Sequence, residues 1–249
     1  MSGKTPTVAL AVIGAEVLSG KVRDENGPHL IDELRSLGAR LGEVRVIDDG
    51  VPIIADTVST LASRFDYLIT TGGIGPTHDD MTVAGVAKAF SVAVIRDPGL
   101  EQMLRSHYGD RMTENHLRLA EVPEGAQVHS PKGSVPVLQM RNVFILPGVP
   151  KLMRACFSQI SETFRGPRFV THVLHLDASE SAIADVLSEA ASANPGVQIG
   201  SYPRFDGGPA RVKVTVEATD RALVEATVAH LRATLPEGSF LESREESVL

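Results

Sequence analysis

The sequence has very little cysteine: Cys156 is the single thiol among 249 residues. One thiol can form neither an internal disulfide nor a cysteine-rich zinc site, so we interpret Cys156 as a small core residue. A chain of this length buries enough surface to fold without cross-links. The sequence also lacks a long apolar run, a basic leader and a small-residue cleavage site. We therefore expect a soluble, cytoplasmic protein that does not enter a membrane.

Positive charge is also scarce, because 24 Lys and Arg residues face 31 Asp and Glu residues and the net charge is −7. A protein that binds the phosphate backbone of nucleic acid needs a basic face, so nucleic acid is not expected as a partner. A small phosphorylated ligand remains compatible with this charge, since backbone amides or a metal ion can hold it. The hydrophobic content of 43% is ordinary for a globular protein.

Apolar strands alternate with amphipathic helices over roughly the first two thirds of the chain. This alternation implies right-handed crossovers and a mainly parallel sheet with helices on both faces, hence an α/β domain over 1–165. After Gly166-Pro167 the order becomes β-α-β-β-α-β. That order predicts a second, smaller α+β domain of the ferredoxin-like type over 168–249.

The hydrophobic periodicity also predicts the individual elements. Strands are expected at 7–13, 43–47, 67–71, 91–95, 135–140, 143–146, 169–176, 197–202, 211–217 and 239–242. Helices are expected at 26–37, 53–64, 81–90, 99–108, 113–120, 151–164, 180–191 and 220–235. A tight turn at Arg141-Asn142 is expected to join two strands, with Asn142 at positive φ because Asn tolerates that conformation.

Two common nucleotide-binding signatures do not fit. Between Gly14 and Gly20 there are five residues where a P-loop has four, and Val22 stands where Ser or Thr would hold magnesium. Gly73 and Gly75 follow a predicted strand, but the third glycine of a dinucleotide fingerprint would fall at His78. The sequence therefore matches neither the signature of a P-loop NTPase nor that of a Rossmann dehydrogenase.

The most informative segment is TTGGIGPTHDDMT at 70–82. Three glycines follow the predicted strand here: Gly72, Gly73 and Gly75. They allow a sharp turn and a close approach to a ligand, whose phosphate the loop amides and the next helix start can hold. Asp79 and Asp80 add two hard oxygen ligands that suit a divalent cation. Helix capping is the alternative, since Thr77 and Asp80 have the spacing of a capping box.

Other polar loops are expected at the same edge of the sheet, where open α/β sheets bind their ligands. The segment 48–50, Asp-Asp-Gly, ends the second strand, although turn chemistry alone would explain it. Glu16 and Ser19 leave the first strand at this edge. The loops 130–134 and 146–150 are two further candidates for the walls of a crevice.

Polar residues outside these loops have simpler interpretations. Asp24 and Asn26 lie just beyond this edge of the sheet, where one of them would simply cap the helix that follows. His172 and His175 are three apart on a predicted strand and therefore on opposite faces, so a shared metal site is not expected. His78 is interpreted as a surface loop residue rather than a phosphate ligand.

Together these motifs resemble the molybdopterin-binding-like family of the MoaB/Mog type, through TTGGIGPTHDDMT with VIDDGV upstream and LPGVP downstream. The opening GAEVLSGKVRDEN and the second module look most like the branch that contains the N-terminal part of competence/damage-inducible protein A. The segments QMRNVFILPGVPKLMRACF, GSYPRF and LPEGSF are similar to the molybdopterin-binding-like domain of eukaryotic FAD synthases. The adenylyl-transferring domain of those synthases has no match in this sequence, so the resemblance does not imply FAD synthesis.

The resemblance implies a three-layer α/β fold with the ligand over the glycine loop. Two aspartates that are essential for adenylyl transfer in the molybdopterin enzymes match Asp49 and Asp80. Related domains of the other two branches hydrolyse dinucleotide pyrophosphates, including ADP-ribose and FAD, with a metal. The family commonly forms dimers or trimers, so a homo-oligomer is also expected.

Three departures from the family pattern concern the proposed crevice and its surroundings. Ala15 stands where the branch often has a polar residue, the loop 130–136 differs from the usual Asn-Pro-x-Gly-Thr-Ala-Pro-Gly, and Leu152 replaces a frequent glutamate. The last two leave the walls of the crevice, and therefore the identity of the substrate, open.

The sequence thus predicts a metal-dependent hydrolase that cleaves a dinucleotide pyrophosphate of the FAD or ADP-ribose type and releases AMP. The catalytic candidates are Asp80, Asp49 and Glu16. The metal ligands are predicted to be Asp79 and Asp80, with magnesium, manganese or cobalt as the cation. The substrate-binding candidates are Thr71, Gly72, Gly73, Gly75, Ser19, Gly133, Ser134, Pro147 and Gly148. Molybdopterin binding or adenylylation, and non-catalytic nucleotide binding, are the alternatives.

Overall fold

The computed structural model describes residues 4–129 and 135–246, and these form two compact units with the boundary between Gly166 and Pro167. The elements of the first unit are, in chain order, β1 (Thr7–Ile13), α1 (Ala15–Leu18), α2 (Asn26–Ser36), β2 (Arg40–Ile47), α3 (Val51–Arg64), β3 (Tyr67–Thr71), α4 (Thr82–Ala89), β4 (Val94–Arg96), α5 (Pro98–Tyr108), α6 (Glu114–Leu117), β5 (Glu121–Pro123), β6 (Gln127–His129), β7 (Val137–Met140), β8 (Val143–Leu146) and α7 (Pro150–Ile160). Short 3₁₀ turns follow three of the helices, at Gly109–Arg111, Arg118–Ala120 and Ser161–Phe164.

A six-stranded sheet forms the centre of the first unit, in the order β2-β1-β3-β8-β7-β6. Strands β2, β1, β3 and β8 are parallel, and β7 and β6 extend the sheet in antiparallel fashion. Val12 pairs with Val46 and with Thr71, and Thr71 pairs with Leu146. The four parallel strands therefore end at one edge. The predicted mainly parallel sheet is confirmed.

Helices cover both faces of this sheet, and the burial of β1 on both sides reflects this. Alternate residues of β1 point to opposite faces and all but its first residue are buried, as expected for a central parallel strand. One face packs on apolar residues of α2 and α7, and the other on those of α3 and α4. Cys156 lies fully buried in the first of these cores. Burial raises the pKa of its thiol to about 11, which supports a packing role.

The turn between β7 and β8 corrects one prediction. Arg141, not Asn142, takes positive φ, at 54°. The Asn142 side chain instead donates hydrogen bonds to the carbonyl oxygens of Ala62, Phe65 and Asp66, at 2.9, 3.2 and 3.3 Å. Asn142 therefore ties the hairpin to the connection before β3, and the left-handed position falls to its neighbour.

Several element boundaries also differ from the prediction. Ser91 adopts a positive φ of 56° and ends α4, so the expected strand 91–95 lies instead at Val94–Arg96. Strand β2 begins three residues earlier than expected, at Arg40. The short elements α1, β5 and β6 were not predicted, because three or four residues are too few to establish a periodicity.

The second unit contains β9 (Val170–Leu176), α8 (Glu180–Ala193), β10 (Gln198–Pro203), β11 (Val212–Ala218), α9 (Arg221–Thr234) and β12 (Phe240–Glu246). Its four strands form an antiparallel sheet in the order β10-β11-β9-β12. Apolar side chains of both helices join those of β9 and β11 in a single core. This is the predicted smaller β-α-β-β-α-β domain. Among the described helices of the chain, none combines the length and apolar character needed to cross a bilayer.

Candidate functional site

The glycine loop begins directly after β3 and is closely packed. Gly72 and Gly73 have positive φ values of 102° and 62°, which favour glycine. A Cβ at Gly72 would lie 2.1 Å from the carbonyl oxygen of Ile13, and a Cβ at Gly73 would lie 2.5 Å from Thr82 Oγ1. Thr82 also holds the loop, because its hydroxyl donates to Gly72 O at 2.8 Å and its N–H to Gly73 O at 2.9 Å. Side chains at these two positions are therefore excluded by neighbouring atoms.

The amides of the loop differ in what they can bind. The Gly72 N–H donates to Leu146 O at 3.2 Å, so it is used by the sheet and is not available to a phosphate. The N–H groups of Gly73 and Gly75 donate to no acceptor within residues 4–129 and 135–246. Of the three glycines, these two offer amides to a ligand.

Asp80 closes the loop through a turn with Thr77. One carboxylate oxygen, Oδ2, accepts hydrogen bonds from the N–H of Thr77, at 2.8 Å, and from the Thr77 hydroxyl. The turn precedes α4, whose N-cap is Met81, so Thr77 and Asp80 stabilise the loop rather than the helix end. A Cβ at Gly75 would lie 2.6 Å from Asp80 Oδ2, so this glycine lets the carboxylate approach the backbone. Asp80 Oδ1 accepts no hydrogen bond from the described chain.

The neighbouring Asp79 is much more open to solvent. Its side chain is 67% exposed and that of His78 is 97% exposed, with 3.8 Å between His78 Nδ1 and Asp79 Oδ1. Asp79 is thus held less firmly than Asp80. The negative charge of Asp79 nevertheless contributes to the raised pKa of Asp49, which follows β2.

Asp49 follows β2 and contacts the loop that follows β1. Its Oδ2 accepts a hydrogen bond from the Ala15 N–H at 2.8 Å. Partial burial raises the pKa of Asp49 and the Ala15 N–H opposes this rise, while the negative charges of Glu16, Asp48 and Asp79 add to it. Negative charges that follow three strand ends therefore all act on the pKa of Asp49.

Glu16 and Ser19 lie in and just after the short helix α1. The Glu16 carboxylate folds back over Gly14, where a Cβ would lie 2.5 Å from Glu16 Oε1. The Ser19 hydroxyl donates to the Glu16 carbonyl oxygen at 3.2 Å, so its hydrogen has a partner within its own turn. Of the two, Glu16 is the residue whose charge acts on the pKa of Asp49.

The Pro147-Gly148 loop packs directly on the glycine loop. A Cβ at Gly148 would lie 3.2 Å from the Cα of Gly72, and the Thr71 hydroxyl donates to Pro147 O at 2.8 Å. The structure therefore brings Thr71, Gly72, Pro147 and Gly148 together. Two other predicted substrate-binding residues, Gly133 and Ser134, lie outside the described residues.

Asn26, the first residue of α2, belongs to this edge, whereas the sequence placed it just beyond the edge and favoured a capping role. Asp24 does the capping, because its Oδ1 accepts from the N–H groups of Asn26 and Gly27 at 2.9 and 3.0 Å. The Asn26 side chain is 6% exposed. Its Nδ2 donates to Thr71 Oγ1 at 2.9 Å and to Gly148 O at 2.7 Å. No signal in the sequence pointed to these contacts, because Asp and Asn are about equally good capping residues.

The acidic residues of this edge are suited to one type of cation site. Within the described residues, no group of three or more His, Cys, Asp or Glu side chains is arranged to hold a metal ion. Magnesium is often bound by one or two carboxylates together with substrate phosphates and water. A cation at this edge would therefore take some of its ligands from a phosphorylated substrate and water rather than from a complete protein cage.

Each of the two units matches a family of known proteins. Residues 9–166 match the family described as "Probable molybdopterin binding domain", and residues 168–244 match "FAD synthase, middle domain". A protein of Archaeoglobus fulgidus is 30% identical over 227 residues, which cover 90% of this chain and 95% of that protein. A "Probable FAD synthase" of Caenorhabditis elegans is 30% identical over 258 residues and 92% of this chain. The chain spans only half the length of that synthase.

A solved structure agrees with these matches. The crystal structure of "the protein CinA with unknown function" from Thermoplasma acidophilum superimposes with a TM-score of 0.59 at 28% sequence identity. The alignment covers 64% of this chain and 98% of that one. The first family match alone includes more than half of the 249 residues. The chain therefore belongs to the molybdopterin-binding-like family, in the branch that carries an FAD-synthase-type middle domain.

Proposed function

We propose that this protein hydrolyses a dinucleotide pyrophosphate of the FAD or ADP-ribose type and releases AMP. The observation that carries the proposal is the glycine loop, whose Gly73 and Gly75 amides have no acceptor in the described chain, at the edge of the sheet where Asp49 and Asp80 also lie. The match to an FAD synthase middle domain and to a "Probable FAD synthase" supports a nucleotide ligand. A phosphate-rich substrate also agrees with a site that combines amide donors and carboxylates.

The glycine loop would bind the diphosphate. The N–H groups of Gly73 and Gly75 have no acceptor in the described chain, and the N-terminus of α4 lies just beyond them. Backbone amides and a helix N-terminus together favour a phosphate group. The hydrogen bonds from Thr82 fix the loop, so its amides need little reorganisation when the substrate binds.

Asp49 is the best candidate for the general base that removes a proton from the attacking water. A carboxylate accepts a proton more readily when its pKa is raised, and burial together with the neighbouring acids raises the pKa of Asp49. Water would attack one phosphorus, the bond from that phosphorus to the bridging oxygen would break, and two phosphate monoesters would leave. Asp49 would take the proton of the water and return it to the leaving phosphate. Glu16 is the second candidate.

Asp79 and Asp80 would hold a divalent cation, magnesium, manganese or cobalt, which would neutralise charge on the phosphoryl oxygens. Asp80 offers Oδ1 for this purpose, while its Oδ2 stays with Thr77. The exposed Asp79 can adjust to a cation that the substrate brings with it.

The experiment is a product assay on the purified chain. FAD, ADP-ribose and NAD are each incubated with Mg²⁺, Mn²⁺ or Co²⁺ or with a chelator, and AMP is followed by chromatography. We expect metal-dependent AMP release from at least one of them and a large loss in Asp49→Asn. Asp56→Asn, on the exposed face of α3, is the matched control and should remain active. Failure of every substrate and metal would refute the hydrolase proposal.

Molybdopterin binding or adenylylation is the second candidate, favoured by the family match over 9–166. It predicts that ATP and a pterin phosphate yield an adenylylated pterin, which mass spectrometry would detect. Non-catalytic nucleotide binding is the third candidate, and the departures from the family pattern at 130–136 and Leu152 favour it. Calorimetry would then show binding of FAD or ADP-ribose in samples that release no AMP.

A further inference from the structure

Asn26 carries a buried hydrogen-bond acceptor without a partner. Within the described residues, three buried side-chain atoms have no hydrogen bond: Asn26 Oδ1, His175 Nδ1 and Ser201 Oγ. Only the first of these belongs to the unit that contains the glycine loop. A buried acceptor loses its hydrogen bond to water and gains nothing in exchange, so such groups are rare in folded proteins.

The hydrogen bonds of Asn26 determine which way its amide group faces. Nδ2 donates to Gly148 O and to Thr71 Oγ1. A carbonyl oxygen can only accept, and the Thr71 hydroxyl already gives its own hydrogen to Pro147 O. Rotation of the amide by half a turn would place Oδ1 against two acceptors. Oδ1 therefore faces the remaining side, where no N–H or O–H of the described chain reaches it.

The position of this acceptor limits what kind of group it can bind. The Asn26 side chain is hydrogen-bonded to Thr71, which directly precedes Gly72 and the rest of the glycine loop. A substrate phosphate at neutral pH offers oxygen acceptors and would suit those amides, not Oδ1. In a nucleotide the donors nearest to the phosphate are the hydroxyl groups of the sugar.

We propose that Asn26 Oδ1 accepts a hydrogen bond from a sugar hydroxyl of the bound nucleotide and so selects ribose-type substrates. The inference rests on the proposed function, because it assumes that the glycine loop holds the phosphate. Oδ1 is buried in this structure, so a sugar hydroxyl can reach it only if the neighbouring loop is displaced locally. Gly148 in that loop is exposed and has no side chain to obstruct the hydroxyl. Asn26 is then a specificity residue as well as a link between two loops.

The test compares ribose and deoxyribose ligands. Calorimetry measures the affinity of the full chain for AMP, 2′-deoxy-AMP and 3′-deoxy-AMP, and for FMN and 2′-deoxyribityl FMN. We expect one deoxy analogue to bind about tenfold more weakly than its parent, because it leaves Oδ1 without a donor. The AMP and FMN arms distinguish a ribose hydroxyl from a ribityl hydroxyl.

Variants show whether Asn26 causes the difference. In Asn26→Ala the parent and the deoxy analogue should bind equally, within a factor of about two, since additivity is lost only between interacting groups. Asn142→Ala is the matched control, because Asn142 also bonds to several carbonyl oxygens but lies away from the loop. It should keep the tenfold ratio. If Asn26→Ala fails to fold, Asn26→Ser takes its place.

Each outcome counts for or against the inference. The inference is overturned if every deoxy analogue binds the unaltered protein as tightly as its parent nucleotide does. It is also overturned if the tenfold ratio persists in the Asn26 variant. The ligands are mononucleotides, so binding does not depend on hydrolysis. A preserved ratio without AMP release in the product assay would refute the hydrolase and leave the role of Asn26 standing. No binding of AMP or FMN to the unaltered protein would overturn the role of Asn26, whereas the hydrolase is decided by the product assay alone.

Discussion

Two glycine-containing turns, one in each unit, look similar in sequence and differ in their surroundings. The first is the glycine loop after β3, and the second, Gly207-Gly208, joins β10 to β11. Gly72 and Gly207 both have positive φ, at 102° and 75°. A Cβ at Gly72 would meet a backbone carbonyl at 2.1 Å, whereas one at Gly207 would meet nothing within 4 Å. Glycine is needed at the second turn for its backbone angle alone and at the first for space as well.

The aspartates of the two turns differ in the same way. Asp206 accepts a hydrogen bond from the Gly208 N–H at 3.3 Å and pairs with Arg204. Asp80 accepts from Thr77 and has no cation beside it in the described ion pairs. A carboxylate paired with arginine has its charge neutralised, whereas Asp80 keeps its charge for a ligand. The comparison teaches that packing and charge pairing, more than glycine content, separate a candidate site from an ordinary turn.

The largest effect is expected from Gly72→Ala. The new methyl group would collide with the Ile13 carbonyl oxygen in the centre of the sheet, so we expect the free energy of unfolding to fall by more than about 3 kcal/mol. Gly207→Ala should cost about 1 kcal/mol, because only its positive φ is strained. Urea denaturation of both variants measures the difference. Equal losses would show that the close packing of Gly72 is not what distinguishes the two turns.

A second contrast concerns Asp80→Asn and Asp206→Asn. The first should lower AMP release by about 100-fold, because it removes the negative charge that would hold the cation at the reacting phosphates. Its stability should change little, since the Asn oxygen can still accept from Thr77. Asp206→Asn should leave the rate unchanged. Rates are measured by chromatography at saturating cation, and a similar rate for both variants would contradict the assignment of Asp80.

A smaller effect should separate two buried threonines. Thr82→Val removes the hydroxyl that bonds to Gly72 O, so we expect a loss of about 1–2 kcal/mol in the free energy of unfolding. Thr227→Val in α9 removes a hydroxyl that bonds to Leu223 O, a carbonyl already served by the helix. That loss should stay below about 0.5 kcal/mol. Thermal unfolding of the two variants, measured in parallel, shows whether the Thr82 hydroxyl contributes more to stability than the Thr227 hydroxyl.

The smallest expected effect is the pH dependence of Asp49→Asn. The folded-state pKa of Asp49 is raised, so its ionised form destabilises the fold at neutral pH. The variant should therefore be slightly more stable than the unaltered protein at pH 7. The gain should shrink as pH falls below the raised pKa toward the usual value of about 3.9. Unfolding between pH 3 and 8 tests the sign, and a gain that grows in acid would refute it.

The assembly of the chain remains a prediction. The family resemblance implies a homo-oligomer, and light scattering of the purified chain measures its mass. A mass close to 26.6 kDa would contradict the expectation.

Short-range patterns were enough to predict most of the fold. The run of apolar residues at 7–13 and the strand at 67–71 lie where the sequence places them, because burial on both faces demands continuous hydrophobicity. The glycine loop was found for a similar reason, since its turn depends on adjacent residues. The left-handed position at Arg141 could not be predicted, because it follows from the contacts of Asn142 with residues 76 to 80 positions away.

Asp49 and Asn26 illustrate the limit of those patterns at the candidate site. Asp49 contacts Ala15, 34 residues away, and Asn26 reaches Thr71 and Gly148, 45 and 122 residues away. Sequence spacing suggested a capping role for Asn26, and only the contacts revealed the link between two loops. Distant pairs of this kind depend on strand register, which no local periodicity specifies.

The amino-acid sequence by itself determined the kind of fold, the order of the strands along the chain and the glycines that the turn after β3 requires. These properties follow from hydrophobic burial and backbone freedom, which act over a few residues. Only the tertiary structure decided which amides of the loop stay free, which carboxylates meet and which acceptor lacks a partner. Those outcomes depend on parallel strands ending in register at one edge, and thus on contacts between residues far apart in the chain.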